Sequence, residues 1–269
     1  MSSGSASKGV ALVTGSARGI GRSIALQLAA DGYDIALNDV PVNKDAVEAL
    51  GTEITSKHPG RRTRVLLADV SDEKDVKAMV EGVVGHFGKL DVMVANAGVV
   101  KVSTLLDTTT QDWDSALAVN ARGTFLCYKY AAQQMIAQGT KGRIIGASSL
   151  SGKKGGFTYL SAYSASKFAV RGLTHVAATE LGRYGITVNA YAPGAIDTEM
   201  LGQIQTYHVE KTEEGIYAKM KELAAVGYLG QPKDVASLVS YLVTPEAHFI
   251  TGKRQISRRI SVDGGVYYD

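Results

Sequence analysis

Tyr163 and Lys167 stand four residues apart in the segment Tyr163-Ser164-Ala165-Ser166-Lys167. On a helix that spacing puts both side chains on one face, so an ammonium can sit beside a phenol. A nearby positive charge favours phenolate and draws a tyrosine pKa down from about 10 toward working pH. Such a tyrosine can serve as general acid toward a ketone and as general base toward an alcohol. The pattern alone discriminates poorly, because Tyr207 with Lys211 and Tyr217 with Lys221 repeat it. Surroundings separate the three pairs. Tyr163 lies among small residues that let a bound molecule approach, with Ser148, Ser149 and Ser151 just upstream, whereas the other two pairs fall in a mixed-charge stretch and read as solvated.

A second chemical element lies near the start of the chain. Residues 10–14 are an apolar run that leads directly into Gly15-Ser16-Ala17-Arg18-Gly19-Ile20-Gly21 and then into helical periodicity. In that order of strand, glycine turn and helix, Gly15 can take backbone angles closed to other residues, Gly19 lets the main chain approach a pyrophosphate, and Gly21 permits close packing of helix on strand. The helix amino terminus adds unpaired N–H donors and a partial positive charge for phosphates. Taken bare, the same glycines would make an ordinary tight connection. Asp39 ends the second apolar run, 18 residues after Gly21, close to the separation at which a carboxylate meets an adenosine ribose. A carboxylate there accepts from ribose hydroxyls and repels a 2′-phosphate, each unit of like charge costing on the order of 4 kcal/mol at about 4 Å and an effective dielectric of about 20. NAD(H) is therefore expected over NADP(H), with Arg18 the cation of the turn that opposes the preference. The bare alternative for Asp39 is the start of a turn.

The glycine spacing is GxxxGxG, and together with Thr14 it resembles the TGxxxGxG element of the short-chain dehydrogenases/reductases. Other motifs similar to that family's follow in order: Asp69-Val70, Asn96-Ala97-Gly98, Val119-Asn120-Ala121, Ser149, Tyr163 with Lys167, and Pro193-Gly194 followed by Thr198. The resemblance runs from about Lys8 to the carboxyl terminus. It implies a catalytic set of Asn120, Ser149, Tyr163 and Lys167. It also implies a cofactor site of Gly15, Ser16, Arg18, Gly19, Ile20, Gly21, Asp39, Asp69, Val70, Asn96, Ala97, Gly98, Tyr163, Lys167, Pro193, Gly194, Ile196 and Thr198. In this reading Asp69 touches the adenine, Thr198 holds the nicotinamide carboxamide, Ser149 hydrogen-bonds the substrate oxygen, and Asn120 opens its helix so that a water joins Lys167 to solvent. Bare readings stay open beside these: Asn120 as a buried amide satisfying backbone groups, Ser149 as a strand-end hydroxyl capping local backbone, and Thr198 as a helix N-cap. Ser148 and Ser151 are substitutes for Ser149. The separation of Ser149 from Tyr163 is one residue longer than the family's, which points to an insertion within 152–160.

The elements that must hold these groups alternate. Strands are expected at 10–14, 34–39, 63–69, 91–96, 142–148, 186–191 and 256–262, and helices at 20–31, 72–87, 111–138, 162–184 and 232–242. Short β-branched runs separated by helical stretches indicate repeated βαβ units. The expected fold is a single-domain α/β Rossmann-type structure, with a doubly wound, seven-stranded parallel sheet carrying helices on both faces. Residues 1–8 read as a flexible tail and 9–269 as the domain. Residues 199–230 read as an excursion of one or two short helices over the substrate site, since long insertions at the carboxyl edge of a sheet are commonly binding loops. The family's last strand follows Thr-Gly closely, whereas here residues 253–259 intervene.

Bulk properties narrow the function. Hydrophobic residues make up 45% of the 269-residue chain and charged residues 20%, enough to build a substantial core. The net charge of +3 comes from scattered residues, which gives nucleic acid no basic track. Cys127 is the only cysteine, so neither an intrachain disulfide nor a cysteine-based metal or redox pair can form. The five histidines show no metal spacing, and no run approaches the roughly 20 apolar residues of a membrane span. A cytoplasmic NAD-dependent enzyme acting on a small carbonyl or alcohol is expected. The resemblance implies a homotetramer, and it is greatest to the acetoin/diacetyl reductases and 2,3-butanediol dehydrogenases, through Asp39 and Val188-Asn189-Ala190-Tyr191. Polyol or sugar dehydrogenases and 3-oxoacyl reductases are close alternatives. A non-catalytic dinucleotide sensor is the alternative from another class, since fold alone does not establish turnover.

Overall fold

The structure, a computed structural model, describes residues 6–155, 157–212, 215–252 and 261–266. Its strands are β1 (Val10–Thr14), β2 (Asp34–Asp39), β3 (Thr63–Leu67), β4 (Val92–Ala95), β5 (Arg143–Ala147), β6 (Thr187–Pro193) and β7 (Ser261–Val262). They form one sheet in the order β3-β2-β1-β4-β5-β6-β7, and every pairing is parallel. Parallel neighbours need crossovers, and the chain supplies α1 (Gly19–Ala30), α2 (Lys44–Lys57), α3 (Glu73–Phe87), α4 (Thr110–Leu117), α5 (Gly123–Ala137) and α6 (Ser161–Leu181). After β6 come α7 (Glu199–Thr212), α8 (Ile216–Leu223) and α9 (Pro232–Val243).

Strands buried on both faces need apolar residues at every position rather than alternation, and β1 is buried throughout. Ala11 and Val13 join Ile24 and Leu28 of α1, Leu50 and Ile54 of α2, and Val235 and Val239 of α9 in one core cluster. Val10 and Leu12 face the other way, toward Val76 and Val80 of α3, Leu126 and Met135 of α5, and Ala177 of α6. The sheet thus lies between two apolar layers, and the strand order reverses between β1 and β4. In doubly wound sheets the crevice outside the carboxyl ends of the strands at such a reversal is where ligands bind. Both the glycine turn after β1 and Asn96-Ala97-Gly98 after β4 lie there.

Several expected boundaries change. The helix α2 was not expected; its apolar residues Val47, Leu50, Gly51 and Ile54 are its buried ones, an i, i+3, i+4, i+7 stripe that the surrounding charge obscures. The expected continuous helix over 111–138 is divided by a π-helical turn, Ala118–Arg122. The third strand ends at Leu67, so Asp69 and Val70 follow it in a turn rather than close it. The sixth runs on to Pro193. The expected last strand is described only as Ser261–Val262, and the added residues 253–259 lie outside the described residues.

Candidate active site

The glycine turn is built to keep side chains out. A β-carbon at Gly15, whose φ is +63°, would lie 2.8 Å from the Ala97 Cα, and one at Gly21 would lie 2.2 Å from the Gly15 carbonyl oxygen. The turn is held from both sides. Ser16 N and Oγ both donate to the Asn38 carbonyl, at 2.9 and 3.0 Å. Thr14 Oγ1 accepts from the Asn96 and Ala97 amides at 3.0 and 3.1 Å, and Asn96 Nδ2 donates to the Thr14 and Gly15 carbonyls at 2.9 and 3.1 Å. Asn96 therefore spends its amide donors on shaping the turn.

Asp39 stands at the rim of this cradle, almost wholly buried. One carboxylate oxygen accepts from Ala17 N at 2.9 Å, and the other from Val40 N at 2.9 Å and Asn43 Nδ2 at 2.7 Å. Three donors fix the carboxylate in place and leave part of its accepting capacity for hydroxyl groups. Arg18 is exposed at the start of α1. Further along the strand ends, Asp69 accepts from Ser71 N at 2.8 Å, Val70 is buried against the position of Gly123, and Gly194 N donates to Val262 O at 3.0 Å. Thr198 Oγ1 donates to the Ile196 carbonyl and accepts from Leu201 N at the start of α7. Its methyl would lie 3.6 Å from a β-carbon on Gly19, so the same residue that starts a helix also faces the turn. A glycine cradle without room for a Cβ, helix N–H donors and a fixed carboxylate 18 residues on fit the pyrophosphate and adenosine ribose of a nicotinamide dinucleotide.

The catalytic candidates converge at the ends of β5 and α6. Among the three serines the geometry distinguishes roles. Ser148 Oγ turns inward and donates to the Lys167 carbonyl at 3.2 Å. The Ser149 hydroxyl stands beside the Tyr163 phenol and favours its ionised form, while accepting from Ser151 N at 3.1 Å. Ser151 itself is buried. Lys167 is 3% exposed, with Nζ 2.9 Å from the Ala147 carbonyl and 5.4 Å from the centroid of the Tyr163 ring. Asn120 sits in the π-helical turn and is fully buried. Its Nδ2 donates to Val99 O and to Ser166 Oγ, each at 2.9 Å, and its Oδ1 accepts from Val99 N at 2.8 Å. Both readings of Asn120 hold in part: the amide is satisfied, and the helix is opened around it. Gly98 keeps this corner clear, for a β-carbon there would lie 3.2 Å from Asn120 Oδ1 and 3.3 Å from Lys167 Nζ.

The electrostatics differ from the sequence expectation. Burial pushes the Tyr163 phenol above its ordinary value, and the Ser149 hydroxyl opposes that shift. The expected lowering by Lys167 does not prevail, because the ammonium is itself desolvated and its pKa falls to about 8.

The two other tyrosine–lysine pairs lie on α7 and α8. Lys221 is exposed, and the Tyr207 ring packs 5.3 Å from that of Tyr159, which His208 also meets edge-on at 5.0 Å. Tyr159 has φ of +65°, the only positive φ among described non-glycine residues, and its carbonyl accepts from Ser103 N at 3.0 Å. It occupies the stretch 152–160 where an insertion was expected. Sequence reasoning missed the roles of Tyr159, of Thr14 as a clamp on Asn96 and Ala97, and of Asn38 beneath the turn. A hydroxyl or amide at the end of an otherwise apolar strand was the available signal.

A family model described as enoyl-(acyl carrier protein) reductase matches residues 15–267. A short-chain dehydrogenase/reductase of Armillaria gallica is 48% identical, covering 100% of both chains. The L-2,3-butanediol dehydrogenase of Corynebacterium glutamicum is 38% identical over 97% of this chain and 99% of that one, and the 3-oxoacyl-[acyl-carrier-protein] reductase of Staphylococcus aureus is 40% identical over 96% and 97%. Among solved structures, a short-chain dehydrogenase from Burkholderia cenocepacia in complex with NADP superposes with a TM-score of 0.83, at 35% identity over 95% and 96% of the two chains. With the parallel sheet, the glycine cradle and the Ser149, Tyr163 and Lys167 cluster, these likenesses identify an oxidoreductase acting on CH–OH donors, and the chain belongs to the short-chain dehydrogenase/reductase family.

Proposed function

We propose that the chain interconverts a small ketone and its secondary alcohol, of the acetoin/diacetyl kind, with NAD(H) as cofactor. The observation that carries the reading is the convergence of the Ser149 hydroxyl and Lys167 on the phenol of Tyr163, beside the cradle whose rim is Asp39. When bound, the dinucleotide supplies or accepts the hydride. The chain's own groups do the rest. Ser149 and Tyr163 orient the substrate oxygen, Tyr163 Oη gives up its proton to that oxygen in reduction and takes it back in oxidation, and Lys167 provides positive charge beside the phenol. Asn120, in the π-helical turn, is the residue through which a water would replenish the proton by way of Lys167.

Asp39 supports NAD(H). Its fixed, buried carboxylate would oppose a 2′-phosphate, so NADH should give the higher kcat/KM, and Asp39→Ala should narrow the gap by about tenfold or more. Steady-state rates with both cofactors check this, and an equal or better rate with NADPH in the unaltered chain defeats it. A panel of diketones, ketoses, 3-oxoacyl thioesters and keto esters tests the substrate. The 40% identity to a 3-oxoacyl reductase favours acyl thioesters as the second reading. We further propose a homotetramer, because α5 and α6 present Phe125, Phe168 and Val176 to solvent, apolar groups that closed symmetry would cover. Sedimentation showing a monomer at micromolar concentration overturns it.

A further inference from the structure

Tyr191 lies on β6 and is 1% exposed, among the largest fully buried side chains. Its hydroxyl donates to Asn96 Oδ1 at 2.7 Å. That bond decides which way the Asn96 amide faces, for only with Oδ1 toward Tyr191 does Nδ2 reach the Thr14 and Gly15 carbonyls. The Gly15 carbonyl in turn sits where a β-carbon on Gly21 would strike it at 2.2 Å, and Asn96 Nδ2 would be 2.5 Å from the same β-carbon. The glycine turn, the start of α1 and the Asn96 amide are thus one close-packed unit, with Tyr191 as its anchor in the sheet. The main chain of Tyr191 faces the catalytic side: its carbonyl accepts from Ser148 N at 2.9 Å, one residue before Ser149. Burial holds the phenol far above its ordinary pKa, so it remains a donor at any working pH.

We propose that Tyr191 is a positioning residue for the dinucleotide site: its hydroxyl, acting through Asn96, sets the carbonyls of the glycine turn and so the affinity for the cofactor. This rests on the reading that the turn holds a nicotinamide dinucleotide. Removing the hydroxyl leaves Asn96 Oδ1 without its donor and frees the amide to turn over, which withdraws the clamp from Thr14 and Gly15.

The test is NADH binding to the whole chain by fluorescence titration, with amide hydrogen exchange of the cofactor-free protein as a second readout. Tyr191→Phe keeps the ring and should raise the NADH Kd by about tenfold. It should also speed exchange over residues 15–21. Asn96→Ala should raise the Kd at least as much, and adding Tyr191→Phe to it should change the Kd no further. A residue that only fills the core would lower Tm and leave the Kd and the local exchange alone, which overturns the proposal. Additive effects in the double variant overturn the route through Asn96. If either variant folds in low yield, exchange measured on the folded fraction still decides between these outcomes. An unaltered chain that binds neither NADH nor NADPH defeats the cofactor reading instead, and is told apart because it fails before any substitution is made.

Discussion

Tyr163 with Lys167 and Tyr217 with Lys221 share the same residue types and helical spacing, and they live in opposite worlds. The first pair sits where β5 and α6 meet, with Lys167 almost wholly buried and bonded to the Ala147 carbonyl, Ser149 on the phenol, and the opened turn of Asn120 beside it. The second lies on α8, with Lys221 exposed and Gly202 of α7 as a neighbour of the Tyr217 hydroxyl. Spacing places two side chains on one face; it gives them no chemistry. The chemistry comes from desolvation and from a third and fourth group that hold the pair in one arrangement.

The strongest way to break this comparison is Tyr163→Phe, which keeps the ring and removes the hydroxyl. It should lower kcat by the roughly 10²- to 10⁴-fold typical of a lost general acid, while NADH binding survives, as single-turnover kinetics and titration will show. Near-normal turnover would place the active site elsewhere.

The cofactor half can be broken by one carbon atom. Gly21→Ala puts a β-carbon against the Gly15 carbonyl, and overpacking of about 1–3 kcal/mol should raise the NADH Kd by roughly five- to a hundredfold. The same substitution at Gly172, which has nothing within 4 Å of its β-carbon position, should leave binding alone.

Titration sharpens the contrast. Lys167 carries its charge below about pH 8 and loses it above, so the positive charge that the proposed mechanism places beside the phenol is present at neutral pH and fades as pH rises. Carbonyl reduction should therefore fall above about pH 8, and Lys167→Arg, whose guanidinium does not deprotonate in this range, should lack that limb whatever its absolute rate. The smallest effect belongs to Tyr217→Phe, expected to change stability by no more than about 0.5 kcal/mol and to leave the proton-transfer step intact. A loss of kcat like that of Tyr163→Phe would erase the distinction between the pairs.

Much of this was legible in the order of residues. Val10–Thr14 appears at its expected bounds because a strand buried on both faces needs near-continuous apolar sequence, and Asp34–Asp39 because polar residues flank its apolar centre Ile35–Leu37. The glycine turn was legible because only glycine tolerates a main-chain oxygen 2.2 Å from where Cβ would stand. The helix α2 escaped because its four buried positions are diluted by exposed charge, whereas the opening of the long middle helix at Asn120 was expected only through the family resemblance, since no proline or glycine pair marks it.

By itself the sequence determined the alternation of strands and helices, and hence the parallel sheet, together with the identity of the groups proposed to do the chemistry, since both depend on local periodicity and residue type. Only the tertiary structure decided which of Ser148, Ser149 and Ser151 meets the phenol, and that burial rather than the ammonium governs Tyr163. It alone brought Tyr191 to Asn96 across 95 residues. Hydrogen-bond partners and desolvation are set by what the fold places around a group, and residues far apart in sequence carry no mark of meeting until the sheet order brings their strands together.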